Sequence, residues 1–256
     1  MGTPTRVAVR VIAKGGKYLG DDIGGSLVTV EDVRTGELLA RGATSGGSGI
    51  KTLTDVRVTR LEVLTVEDAS VFIATLDLEG PRLIRVTAYG PLAAQQSANT
   101  VSQTQWVYPG KNVGGETSGG LLLEIPGLLV QVLNPPTHFM PATAPTEIEI
   151  RANVTMMCGC PISPTTAWNP DEFDVTALIE GGENYSAVRG LVFDENARYE
   201  APSQFTHCWR PPKNETGQLQ IYEITVSAFQ SENGNTGVDR ATLIIPAAQA
   251  SSDSRG

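Results

Sequence analysis

Apolar and polar residues alternate along most of this chain with a period of two, the spacing of a strand with one face dry. In "TRVAVRVIA", Val7, Val9 and Val11 alternate with Arg6, Ala8 and Arg10, which predicts a half-buried strand. "SLVTVEDVRTGELLARGATSGGSG" predicts two short strands joined around "RTGE" and then a glycine-rich loop. "SVFIATLDL", "RLIRVTAYG" and "SQTQWVYPG" are each strand-sized and closed by turn residues. A helix is predicted only around "LEVLTVEDAS", from Leu61 to Ser70. Beyond "GKNVGGETSGG" the alternation resumes. "TEIEIRANVTMM" sets Ile148, Ile150, Ala152, Val154 and Met156 on one face and Glu147, Glu149, Arg151 and Asn153 on the other. "GQLQIYEITVSAFQSENGNTGVDRATLIIP" puts Tyr222, Ile224, Val226 and Ala228 on one face, then turns at "SENGNTG" into a closing strand.

Short strands punctuated this regularly predict an all-β chain of two antiparallel β-sandwich domains in tandem. Glycine-rich polar segments favour slack chain, so residues 110–120 read as a linker. The expected domains are 1–118 and 119–247, with 248–256 as a disordered tail of small polar residues.

Two stretches carry family resemblances. "GGSLVTVEDVRTGELLARGATSGGSG" resembles the transthyretin-like or carboxypeptidase-regulatory-like modules of bacteria, which implies a seven- or eight-stranded antiparallel sandwich over residues 5–110 and no single activity. The Tyr222 strand and its partner resemble the last two strands of bacterial immunoglobulin-like domains over residues 121–247. There the resemblance implies a tyrosine capping the corner of the penultimate strand. No cysteine lies in that strand, so the inter-sheet disulfide of antibody domains is not expected.

Composition narrows the function. A net charge of −9 argues against nucleic acid, whose phosphates call for clustered Lys and Arg. No apolar run is long enough to insert in a membrane. The N-terminus enters strand alternation at once, without the basic start, apolar core and cleavage site of a secretory signal. A cytoplasmic location is expected, or an extracytoplasmic one if the N-terminus is processed. The sequons at Asn153, Asn184 and Asn214 matter only in a eukaryotic secretory setting.

The chemistry-bearing residues are few. Three cysteines cannot all pair within one chain. Met156, Met157, Cys158 and Cys160 form a run of soft sulfur, and thiolate and thioether ligands favour copper(I) or zinc. The candidate metal set is therefore Cys158, Cys160 and Met157, with His138 and His207 as outlying candidates and copper or zinc as the metal. Against it stands zinc's need for four ligands, usually two separated pairs. A redox pair and plain structural thiols are the other readings of Cys158 and Cys160. Alternation predicts Met156 buried and Met157 exposed. It also places the Cys-Gly-Cys loop near the domain junction and Cys208 too far away to bridge it. His138 and Met140 are expected near His207 or Cys208. No nucleophile–histidine–carboxylate set is complete, so an enzyme is not the expected reading. What remains is a non-enzymatic binding or assembly protein, acting on a protein partner or itself through loops and sheet edges, with a soft-metal protein as the alternative.

Overall fold

The computed structural model describes residues 2–49, 68–197, 201–214 and 217–247. The chain forms two compact units, Met1–Leu129 with Thr155–Pro161, and Val130–Val154 with Ile162–Gly256. Both are β structures; among the described residues the helical turns are short 3-10 segments such as Asp21–Ile23. The helix expected over Leu61–Ser70 falls largely outside the described residues, as does the tail.

In the first unit, β1 (Thr3–Ala13) is the central strand of a three-stranded sheet. It pairs antiparallel with β4 (Phe72–Leu78) and parallel with β7 (Leu121–Ile125). The facing sheet has the order β3 (Leu38–Ala43), β2 (Leu27–Asp32), β5 (Arg82–Gly90), β6 (Asn99–Val107). The "RTGE" hairpin forms where predicted. Asp32 Oδ1 accepts from the backbone N–H groups of Arg34 and Thr35, and Gly36 supplies the positive φ of 73°.

Two expectations change here. Residues 121–125 complete the β1 sheet, so the first unit runs on past the expected end at residue 118 to Leu129. Nor is "GKNVGGETSGG" a slack linker. Val113 bridges Val7, and its N–H and C=O bond the Arg6 carbonyl and the Ala8 N–H, both at 2.8 Å. The physical reason is Arg10, which is 0% exposed rather than on a wet face. Its guanidinium donates to the carbonyls of Gly119 (3.1 Å), Ala69 (3.0 Å), Gly115 (3.2 Å) and Glu116 (2.7 Å). A buried cation needs such acceptors, because stripping its water without them costs several kcal/mol. Burial lowers the Arg10 pKa, with the neighbouring Tyr18 opposing, and burial likewise raises that of Tyr18. Ile12, Tyr18 and Ala69, with half-buried Leu122 against them, make a small apolar cluster. β1 is thus covered on both faces from Val7 to Ala13.

The second unit is a sandwich of two four-stranded sheets. One has the order β11 (Tyr185–Gly190), β10 (Phe173–Gly181), β14 (Gln220–Gln230), β15 (Asn235–Ile245). The other has the order β12 (Val192–Phe193), β13 (Gln204–Trp209), β9 (Ile148–Met156), β8 (Leu128–Asn134). The predicted inward faces hold: Ile148, Ile150, Ala152, Val154 and Met156 are buried, as are Tyr222, Ile224, Val226 and Ala228. Trp209 and Tyr222 meet edge to face between the sheets at 5.2 Å, and the Trp209 indole donates to the Tyr185 hydroxyl at 3.0 Å. The Tyr222 hydroxyl donates to Gln220 Oε1 at 2.9 Å rather than to a corner backbone carbonyl.

Candidate functional site

Two places are candidates for chemistry or recognition: the Cys-Gly-Cys turn and the edge strand β6, both in the first unit.

The turn begins where β9 ends. The Gly159 N–H bonds the Met156 carbonyl at 2.8 Å, and the Met156 N–H bonds the Cys160 carbonyl at 3.0 Å. Thr155 then bridges Pro161 antiparallel. This is a three-residue hairpin loop whose third position, Gly159 at φ 75°, takes the left-handed conformation. Met157 is the first loop residue, so strand alternation no longer governs it; it is 1% exposed, not exposed as expected. Cys158 is buried and Cys160 half-buried.

The turn packs on the Ala13–Lys17 turn that follows β1. The Lys17 N–H donates to Cys158 Sγ at 3.4 Å. A Cβ on Gly16 would lie 3.2 Å from that sulfur, so the glycine leaves room for it. The thiols of Cys158 and Cys160 hydrogen-bond each other, which with the Lys17 N–H lowers the Cys158 pKa to about 7 despite burial. The same bond, then burial and the charge on Cys158, raises Cys160, with Lys17 opposing and Asp22 adding.

Cys208 behaves oppositely. It is exposed on β13, hydrogen-bonded to the Glu147 carboxylate, and raised first by that bond. Glu147 is lowered by Cys208 and by Arg210, whose Nε donates to it at 3.1 Å. Glu147, Arg189, His207, Cys208, Trp209 and Arg210 line a shallow cleft there, and neither His138 nor Met140 is among them. His138 sits in an exposed turn at φ 58°. All three thiols are free. Among the described residues no group of three or more His, Cys, Asp or Glu is placed to hold a metal ion. Of the soft-metal set, Cys158, Cys160 and Met157 share one turn of the first unit, while His138 and His207 belong to the other.

The second place is β6. Among the described residues it lies at the end of its sheet and its one ladder is with β5, while the Asn99 side chain donates to the Pro126 carbonyl at 3.2 Å. Its sequence, NTVSQTQWV, has no charge and no proline. Ser102, Thr104 and Trp106 are exposed, Trp106 at 52%, and the inward-pointing Val101, Gln103 and Gln105 are only half-buried. Every other edge strand of the described sheets is defended. Arg41 sits on β3, Asp77 on β4, Glu124 on β7, Arg189 on β11, and Asp239 and Arg240 on β15. β12 is two residues long, and β8 gives its Val132 N–H to Asp239 Oδ2 at 2.8 Å. Alternation alone passes over β6 and Arg10. The run of nine uncharged residues is visible in the sequence, but its edge position is not.

No family model and no curated protein matches the chain. Among solved structures it is similar to the fibronectin(III)-like modules of Clostridium thermocellum CbhA, at 11% identity, over 95% of this chain and 94% of that one, with a TM-score of 0.29. It is also similar to extracellular domains 3–5 of Drosophila OTK, at 14% identity, over 96% of this chain and 59% of that one, with a TM-score of 0.21. The sandwich assignment rests on the sheet order and register given above. No described helix is long and apolar enough to cross a membrane.

Proposed function

We propose that this chain is a protein-binding and assembly module that works through the edge of β6, with a second copy of the chain as the partner strand. The observation that carries the reading is that β6, among the described residues, has neither charge nor proline nor a second ladder partner, beside the charged, short or bonded edges of its counterparts. An open strand edge offers a row of unpaired N–H and C=O groups, and folds normally blunt it with charge, proline or cover. Where none is used, strand addition is the interaction that the backbone is built to make. Two β6 strands set antiparallel meet no like charges, and their Ser and Thr side chains form favourable cross-strand pairs. The transthyretin-like resemblance of residues 5–110 is compatible with this reading, since such modules imply no single activity.

Sedimentation of the purified chain over a range of concentrations tests it. The double substitution Ser102→Glu and Thr104→Glu brings four carboxylates together across a paired edge, while the side chain at position 104 stands opposite Arg85 within its own sheet. The wild-type chain should dimerise as concentration rises, and the variant should remain monomeric with an unchanged fold. A variant that dimerises as well as the wild type would refute the proposal.

A further inference from the structure

We propose that Cys158 and Cys160 form a thiol–disulfide exchange site whose substrate is the disulfide of a small thiol. The site is separate from the β6 edge and does not depend on the assembly reading. Its basis is the turn itself. Two free thiols two residues apart flank a glycine at φ 75° in one three-residue hairpin loop. Cα atoms so close in sequence, brought round a turn, lie inside the about 7 Å that a disulfide can span. The two sulfurs differ in access. Cys158 is 0% exposed and is bonded by the Lys17 N–H, while Cys160 is half-buried beside an exposed Gly159. A Cβ on Gly159 would meet nothing nearer than Ile23 Cδ1 at 3.5 Å, so the glycine is set by backbone conformation rather than by crowding.

The access fixes the order of events. Cys160 loses its proton to solvent and attacks one sulfur of the incoming disulfide; that S–S bond breaks and the first small thiolate leaves. Cys158 then attacks the Cys160 sulfur of the mixed disulfide, and its proton goes with the second small thiol. The pair ends as a Cys158–Cys160 bridge, having lost two electrons, and the substrate ends as one thiolate and one thiol. A bridge across so short a loop closes a small ring, and strained bridges are the readily reduced ones, so the reaction runs both ways.

The test uses the full chain carrying Cys208→Ser, which removes the exposed bystander, with oxidised glutathione as the probe and peptide mapping by mass. The chain should lose two hydrogens and carry no adduct, with the bridge mapped to Cys158–Cys160. Cys158→Ser should stall as a stable glutathione adduct on Cys160. Cys160→Ser should react on the order of tenfold more slowly, because a buried thiol is poorly accessible. Melting temperatures close to that of the parent show that the variants fold. Recovery of both thiols free would overturn the proposal, as would equal reactivity of the two single variants. Copper or zinc bound stoichiometrically to the purified chain, with both thiols protected by it, would overturn it in favour of a metal site.

Discussion

β1 and β6 belong to the same unit and invert the usual relation between charge and burial. β1 carries Arg10 and buries it completely; β6 carries no charge and has no second ladder partner among the described residues. The difference teaches that side-chain polarity does not decide which strand is covered. β1 is closed because a loop more than 100 residues away brings carbonyls to its guanidinium. β6 has no second ladder partner among the described residues; near its outer side lies β7, and the Asn99 side-chain amide donates to the Pro126 carbonyl at 3.2 Å.

The sharpest way to break this comparison is to remove the cation. Arg10→Ala leaves four carbonyls without their donor, that of Ala69 buried and the others part-buried, and should destabilise the first unit by about 3 kcal/mol or more. Denaturant melts should show an earlier first transition, and limited proteolysis should open residues 110–120. A loss below about 1 kcal/mol would mean that the loop orders without Arg10. Arg10→Lys keeps the charge but not the planar fork, and should recover only part of the loss. Next comes the loop itself. Gly120 has φ 107°, and a Cβ there would lie 2.6 Å from the Ala8 carbonyl oxygen. Gly120→Ala should cost about 1–3 kcal/mol, read from the same transition. Tyr222→Phe sets the scale from the other unit. It removes one neutral hydrogen bond to Gln220 and should cost about 1 kcal/mol in the transition of that unit. Smallest of all, Ser102→Glu with Thr104→Glu should shift stability by no more than about 0.5 kcal/mol, since both side chains are exposed.

The fold is most legible where one face of a strand is dry and the other wet. Ile148–Met156 and Tyr222–Ala228 show the alternation, and every inward residue read from it is buried. Alternation misreads β1 because its second face is dry for tertiary reasons. The pattern marks Arg10 as wet, and the acceptors that bury it lie 59 to 109 positions away. Residues 110–120 mislead for the same cause. Glycine permits slack chain and tight wrapping alike, and what separates the two is a distant guanidinium. Met157 is misplaced by alternation because β9 ends one residue earlier and a turn obeys its own geometry. The sulfur pair is visible in the sequence, but the contact between its thiols follows from Gly159 taking the left-handed conformation, which "CGC" alone does not dictate. β6 can be recognised as uncharged; only the sheet order makes it an edge.

Amide hydrogen exchange along β6, measured as a function of chain concentration, tests the central claim most directly. The account predicts that amides within Asn99–Val107 gain protection as concentration rises, while those of the charged edge β15 do not, and that Ser102→Glu with Thr104→Glu abolishes the gain. Protection of β6 that is the same at every concentration, or a gain on β15 instead, would contradict it.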